Sequence, residues 1–185
     1  MSRQTWQEAI AWATASGTAI ASSVTETILF SNITIPANYL SDGRVLRLRF
    51  YGGYGTTATP TLAFALRWGG VAGTVLAKSG AITTGSGVGG GASMTALWSA
   101  EIILQIRANG SSGSVMANGD LTLYTTGTAA GSAYPIASGS TGGTTPVAVT
   151  ADLTADTALA ITAIWGTSNA ANSIQGHQYS LESLN

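Results

Sequence analysis

Apolar and polar residues alternate with a period of two along much of this chain, and no other feature limits its fold so strongly. In "ALWSAEIILQIRANG", Ala96, Trp98, Ala100, Ile102, Leu104 and Ile106 fall on one side, with Ser99, Glu101, Gln105 and Arg107 on the other. A half-buried β-strand sends successive side chains to opposite faces, whereas a helix would need apolar spacings of three and four. The same alternation places Leu46, Leu48 and Phe50 opposite Val45, Arg47, Arg49 and Tyr51 in "VLRLRFY". It places Leu62, Phe64, Leu66 and Trp68 opposite Ala63, Ala65 and Arg67 in "TLAFALRW". Leu159, Ile161, Ala163 and Trp165 share a face in "LAITAIW", and "HQYSLESL" sets His177, Tyr179 and Leu181 against Gln178, Ser180 and Glu182.

Asn109-Gly110 separates the longest of these runs from "SVMANGDLTLYT". That dipeptide suits the positive φ angles of a tight turn, which predicts an antiparallel hairpin. Turn-rich stretches follow the other runs: "GGYGTTATP", "TTGSGVGGGAS" and the long "TTGTAAGSAYPIASGSTGGTTP", residues 125–146, which reads as a loop. Only Trp6, Ala9, Ile10 and Ala13 show helical spacing, in a segment too short to hold a helix by itself. Residues 1–15 therefore read as an N-terminal arm that orders on docking, and residues 16–185 as one domain. Roughly eight to ten strands with frequent turn signals predict an all-β fold, an antiparallel β-sandwich of jelly-roll type.

Charge is scarce, 7 basic against 8 acidic residues in 185. So weak a field does not draw a protein to phosphate backbones or anionic lipid, so neither nucleic acid nor membrane is expected as a partner. Gly, Ala, Ser and Thr dominate instead, and small side chains pack closely between protomers at little entropic cost, which predicts a homo-oligomer. Cysteine is absent, removing thiolate chemistry and Cys-based metal sites. The first residues lack the basic-then-apolar pattern of a secretory signal, so synthesis in a cytoplasm is expected.

No residue pattern predicts catalysis. "GSGVGG", Gly85 to Gly90, matches a bare dinucleotide-loop pattern, but a strand rather than a helix follows it. His177 is the only histidine, and Ser173 and Ser180 lie too near it along one strand to converge as a triad requires. Asp152 and Asp156 could be an acid–base pair, yet aspartates bracketing a turn commonly cap it. No cofactor and no metal site is expected. Arg44, Arg47 and Arg49 make the one basic cluster; Arg47 and Arg49 share a strand face, where they either grip a partner or form local ion pairs. Trp68, Trp98 and Trp165 sit on apolar faces and read as core, whereas Trp6 and Trp12 lie outside the main pattern and are candidate interface anchors.

The segments "TIPANYLSDGRVLRLRFYGGYGTTATPTLAFALRWGG", "LWSAEIILQIRANGSSGSVMANG" and "VTADLTADTALAITAIWGTSNAANSIQGHQYSLESLN" occur in that order. Together they resemble a group of tailed-bacteriophage virion proteins with a jelly-roll-like β domain, over roughly Ser16 to Asn185. The resemblance implies a structural role in the virion and supplies no catalytic residues. The expectation is a capsid decoration, or cement, protein on the outer surface of the head, bound to the major capsid protein, a trimer at threefold positions. Trp6, Trp12, Arg47 and Arg49 are its expected contacts. The alternative is a knob of a head fibre, tail fibre or spike that binds receptor glycan, with Tyr51, Tyr54 and Tyr134 as candidate aromatics. A polysaccharide depolymerase is a third class, without a suggestive carboxylate pair.

Overall fold

A computed structural model describes residues 7–85, 93–124, 131–142 and 145–185. These residues form fourteen strands and no helix. In chain order the strands are β1 (Glu8–Trp12), β2 (Ile20–Ala21), β3 (Thr27–Ile28), β4 (Ile33–Ile35), β5 (Val45–Gly55), β6 (Thr61–Trp68) and β7 (Thr74–Ser79). There follow β8 (Ile82–Thr83), β9 (Ala96–Ala108), β10 (Gly113–Leu123), β11 (Ser132–Ser138), β12 (Val149–Ala151), β13 (Thr157–Trp165) and β14 (Ser173–Ser183).

All belong to one antiparallel sheet with the order β1-β14-β5-β9-β10-β11-β7-β6-β13-β3, with β2, β4, β8 and β12 as short additions. The alternation read from sequence decides which side is buried. Leu46, Leu48 and Phe50 of β5, the six even-numbered residues of β9 from Ala96 to Ile106, and Leu159, Ile161, Ala163 and Trp165 of β13 are all nearly inaccessible. Each fully buried Leu, Ile or Phe contributes about 1.5–3 kcal/mol, enough in sum to hold long strands together without disulfides.

The sheet turns back on itself, so that strands distant in its order meet through their apolar faces. The Phe64 ring of β6 lies 5.1 Å from that of Trp98 in β9, although β10, β11 and β7 separate these strands in the sheet. Trp98 also meets Phe50 edge-on at 5.8 Å. The two ends of the path come together as well: Phe30, just after β3, contacts Tyr179 of β14 edge-on at 5.2 Å. A β-carbon on Gly176 would lie 2.3 Å from that phenyl ring, so glycine is what lets Phe30 pack against β14.

Several local expectations are corrected. The helical spacing near the N-terminus is not used as a helix, because residues 8–12 pair with β14 as a strand (Glu8 opposite Ser183, Trp12 opposite Ser180). "GGYG" continues β5 through Gly55 instead of turning. The stretch taken as one long loop contains β11, which pairs with β10 on one side and β7 on the other and so joins the two halves of the sheet; residues 125–130 and 143–144 lie outside the described residues. The β9–β10 hairpin forms, with positive φ at Gly110 but not at Asn109, and its loop closes through Gly113 N–H to the Gly110 carbonyl.

Candidate functional site

The outward face of β14, β5, β9 and β10 carries the basic cluster. Register sets Arg47 beside Glu182 and Arg49 beside both Ser180 and Glu101. Arg47 donates through Nη2 and Nε to the Glu182 carboxylate, at 2.5 and 3.1 Å, and Arg49 Nε donates to Glu101 at 2.5 Å. The hydrogen bond from Arg47, then that from Gln7, holds the Glu182 carboxyl below its ordinary range, and the Glu101 bond raises the Arg49 guanidinium. Arg47 and Arg49 thus share the expected face, with their charges met by glutamates of neighbouring strands. Arg44 stands apart, over the Tyr39 ring at 4.5 Å.

One end of this face is hollow. Gly52 and Gly53 interrupt the large side chains of β5, and Gly52 is required there: a β-carbon would lie 2.4 Å from the Trp98 indole and 2.0 Å from the Gln175 carbonyl oxygen. Trp98 can therefore tuck beneath the strand, donating its indole N–H to the Gly53 carbonyl at 3.2 Å. On the open side Tyr51, Leu97, Tyr124, His177 and Gln178 surround a depression of about 320 Å³. Tyr51 and Leu97 are 41% and 57% exposed, which is unusual for large apolar groups so close together.

His177 reaches this hollow because alternation fails at that point. The β14–β5 register shifts between Gly176 and Gln178, which pair with Gly52 and Tyr51, leaving His177 as the extra residue of a β-bulge. A bulge re-aims a side chain; His177 leaves the buried side occupied by Tyr179 and Leu181 and becomes exposed. Its Nδ1 lies 3.0 Å from Ser16 Oγ. Sequence could not supply that partner, which is 161 positions away and on no recognisable motif. Of the two serines near His177 in sequence, Ser173 is buried with no hydrogen-bond partner for its hydroxyl.

The tyrosine candidates separate. Tyr51 faces out and Tyr134 is half-buried on β11. Tyr54 is wholly buried, correcting its place among exposed aromatics: its hydroxyl donates to the Tyr124 carbonyl at 2.9 Å, and burial, with the nearby Tyr134, pushes its pKa up to about 12. It acts as a tether beneath the hollow.

Trp12 ends β1 and is 60% exposed. β1 lies at one end of the sheet, and no described strand pairs with its other edge. The chain after it is stitched to β14 by Ala13 N–H to the Tyr179 carbonyl and Gly17 N–H to the Gly176 carbonyl. Trp6 lies outside the described residues.

The carboxylate pair serves turns. Asp152 Oδ1 accepts from the Thr154 hydroxyl and N–H at 2.6 and 2.9 Å, bonds that hold its pKa low. Asp156 Oδ1 accepts from Ala37 N–H at 2.7 Å. Among the described residues no group of three or more His, Asp or Glu side chains is arranged to hold a metal ion. Most of "GSGVGG", residues 86–90, lies outside the described residues. No protein-family model and no curated protein sequence matches this chain.

Proposed function

We propose that this chain is a tailed-bacteriophage virion protein, a capsid decoration protein that binds the outer surface of the head and stabilises the shell. In this reading the folded-back sheet is a jelly-roll-type sandwich, the protein is a homo-trimer, and its partner is the major capsid protein. The chain is not an enzyme and needs neither cofactor, nucleic acid nor membrane. The observation that carries the docking role is β1. No described strand pairs with its outer edge, so it offers backbone N–H and C=O groups to a partner strand, beside an outward Trp12. Exposed tryptophan at the rim of an unpaired edge suits an interface anchor, since a few aromatic residues carry most of the energy of an association. The sequence resemblance supplies the particle.

Stabilisation follows by mass action. A protein that binds only the assembled shell adds interface that must be broken before capsomers separate, and a specific contact buries about 800 Å² on each partner. Because Arg47 and Arg49 are already paired with glutamates, their part in docking is to present a neutralised face rather than to seek an acidic one.

Quantitative mass spectrometry of purified virions tests the reading. About one copy per capsid subunit is expected; a few copies per particle would move the chain to a fibre, portal or tail position. Trp12→Ala should weaken binding to undecorated heads by more than tenfold, in line with a central aromatic anchor, and unchanged binding would remove β1 from the interface.

A further inference from the structure

We propose that the hollow beside Gly52 and Gly53 is a binding site for one neutral pyranose ring of a glycan. The site uses Tyr51 and Leu97, not the β1 edge, and so does not rest on the decoration reading.

Three features of the hollow point to this ligand. A pyranose has an apolar C–H face and a belt of hydroxyls, and it is bound where an exposed aromatic face lies beside neutral hydrogen-bonding groups. Here Tyr51 and Leu97 supply the apolar surface. Register puts Tyr51 directly between Gln178 of β14 and Ser99 of β9, so an amide and a hydroxyl flank the ring on either side. The Gln178 amide makes no hydrogen bond among the described residues, and neither does His177 Nε2, whose ring is held by Ser16 at Nδ1.

The second feature is charge. The next outward position along β5 is Arg49, which is joined to Glu101, so the charged groups bordering the hollow cancel each other. Among the described residues an anionic sugar or an acidic peptide would find no unpaired arginine or lysine lining the hollow. The third feature is shape. A volume of about 320 Å³ lies at the small end of the range of small-molecule sites. A protein partner would need a far wider contact, about 800 Å² on each side.

The β14 bulge builds one wall of the hollow. The bulge turns His177 outward, where its Nε2 stands in ordinary contact distance, 3.5 Å, of where a β-carbon on Gly53 would be. An unbulged strand would point His177 inward with Tyr179 and leave the wall of the hollow missing.

Saturation-transfer NMR on the full chain tests the proposal, with methyl glycosides of glucose, galactose, mannose and N-acetylglucosamine at millimolar concentration and a sialoside as the anionic comparison. At least one neutral glycoside should receive transfer. Tyr51→Ala should weaken its affinity about tenfold, the loss of one aromatic contact, while Tyr51→Phe retains most of it. An unchanged melting midpoint for Tyr51→Ala shows that the fold is intact, and Leu97→Ala gives a second reading should it shift. Trp12→Ala should leave sugar binding as it was, whatever it does to capsid binding. The proposal is overturned if no neutral glycoside binds, if only the sialoside binds, or if binding survives both Tyr51→Ala and Leu97→Ala.

Discussion

Two arginine–glutamate pairs, on the outward sides of the two halves of the sheet, show how differently the same chemistry is used. On β5 and β9, Arg49 and Glu101 meet across neighbouring strands with side chains 40% and 44% exposed. On β6, Arg67 and Glu26 meet with side chains only 17% and 18% exposed. There Arg67 donates to both Glu26 oxygens at 2.5 and 2.6 Å and to the Gly73 carbonyl at 2.8 Å, and the buried Thr162 hydroxyl donates to Glu26 at 2.5 Å. The outward positions around this pair, Ala63, Ala65, Ala160 and Thr162, are nearly inaccessible. Glu26 immediately precedes β3, so the pair fastens that segment across β13 onto β6. Solvent makes the first pair a neutral, open surface; partial burial makes the second a structural joint.

The interior common to both halves sets the largest expected effect. Trp98→Ala removes the ring that meets Phe50 and Phe64, and should cost about 3–5 kcal/mol in denaturant titration. A smaller loss would mean that the halves cohere mainly through β11. Next, Arg67→Ala leaves the Glu26 carboxylate with only the Thr162 hydroxyl and no cation, and should cost about 3 kcal/mol. Replacing the two together, Arg67→Met with Glu26→Gln, should recover much of that loss; failure to recover would show that shape, not charge, makes the joint.

Acid sharpens the comparison further. Burial alone would raise the Glu26 pKa, but hydrogen bonds from Arg67 and Thr162 and the charges of Arg67 and Lys78 outweigh it, and the net shift is downward. A carboxyl with a lowered folded pKa adds stability above its unfolded value, and that stability disappears as pH falls through the folded value. Chemical stability should therefore decline below the ordinary value of 4.5, and Glu26→Gln should flatten this acid limb while lowering the plateau above it. The smallest effect belongs to the exposed pair: Glu101→Gln should leave the melting midpoint within error, and a clear drop would show Arg49 to be more than a surface group.

The long strands were legible residue by residue. Every apolar position named for β6, β9 and β13 is buried, and Arg47 and Arg49 do share an outward face, because alternation is a local property of extended backbone. The candidate site was legible only in fragments. Tyr51 and Tyr54 are alike in sequence setting, two tyrosines in a glycine-rich strand, but an odd separation of three puts one in solvent and the other in the core. Reading "GGYG" as a turn hid that distinction.

Sequence by itself determined the secondary-structure class, the side of each long strand that faces the core, and the burial of Trp68, Trp98 and Trp165. Tertiary structure alone decided that the segment around Ile10 is an edge strand, that His177 bulges outward onto Ser16, and that Arg67 finds Glu26, 41 positions earlier. The physical reason is range. The direction of a side chain is fixed by its own backbone and its neighbours, whereas pairing, register and bulges depend on which distant strand arrives alongside.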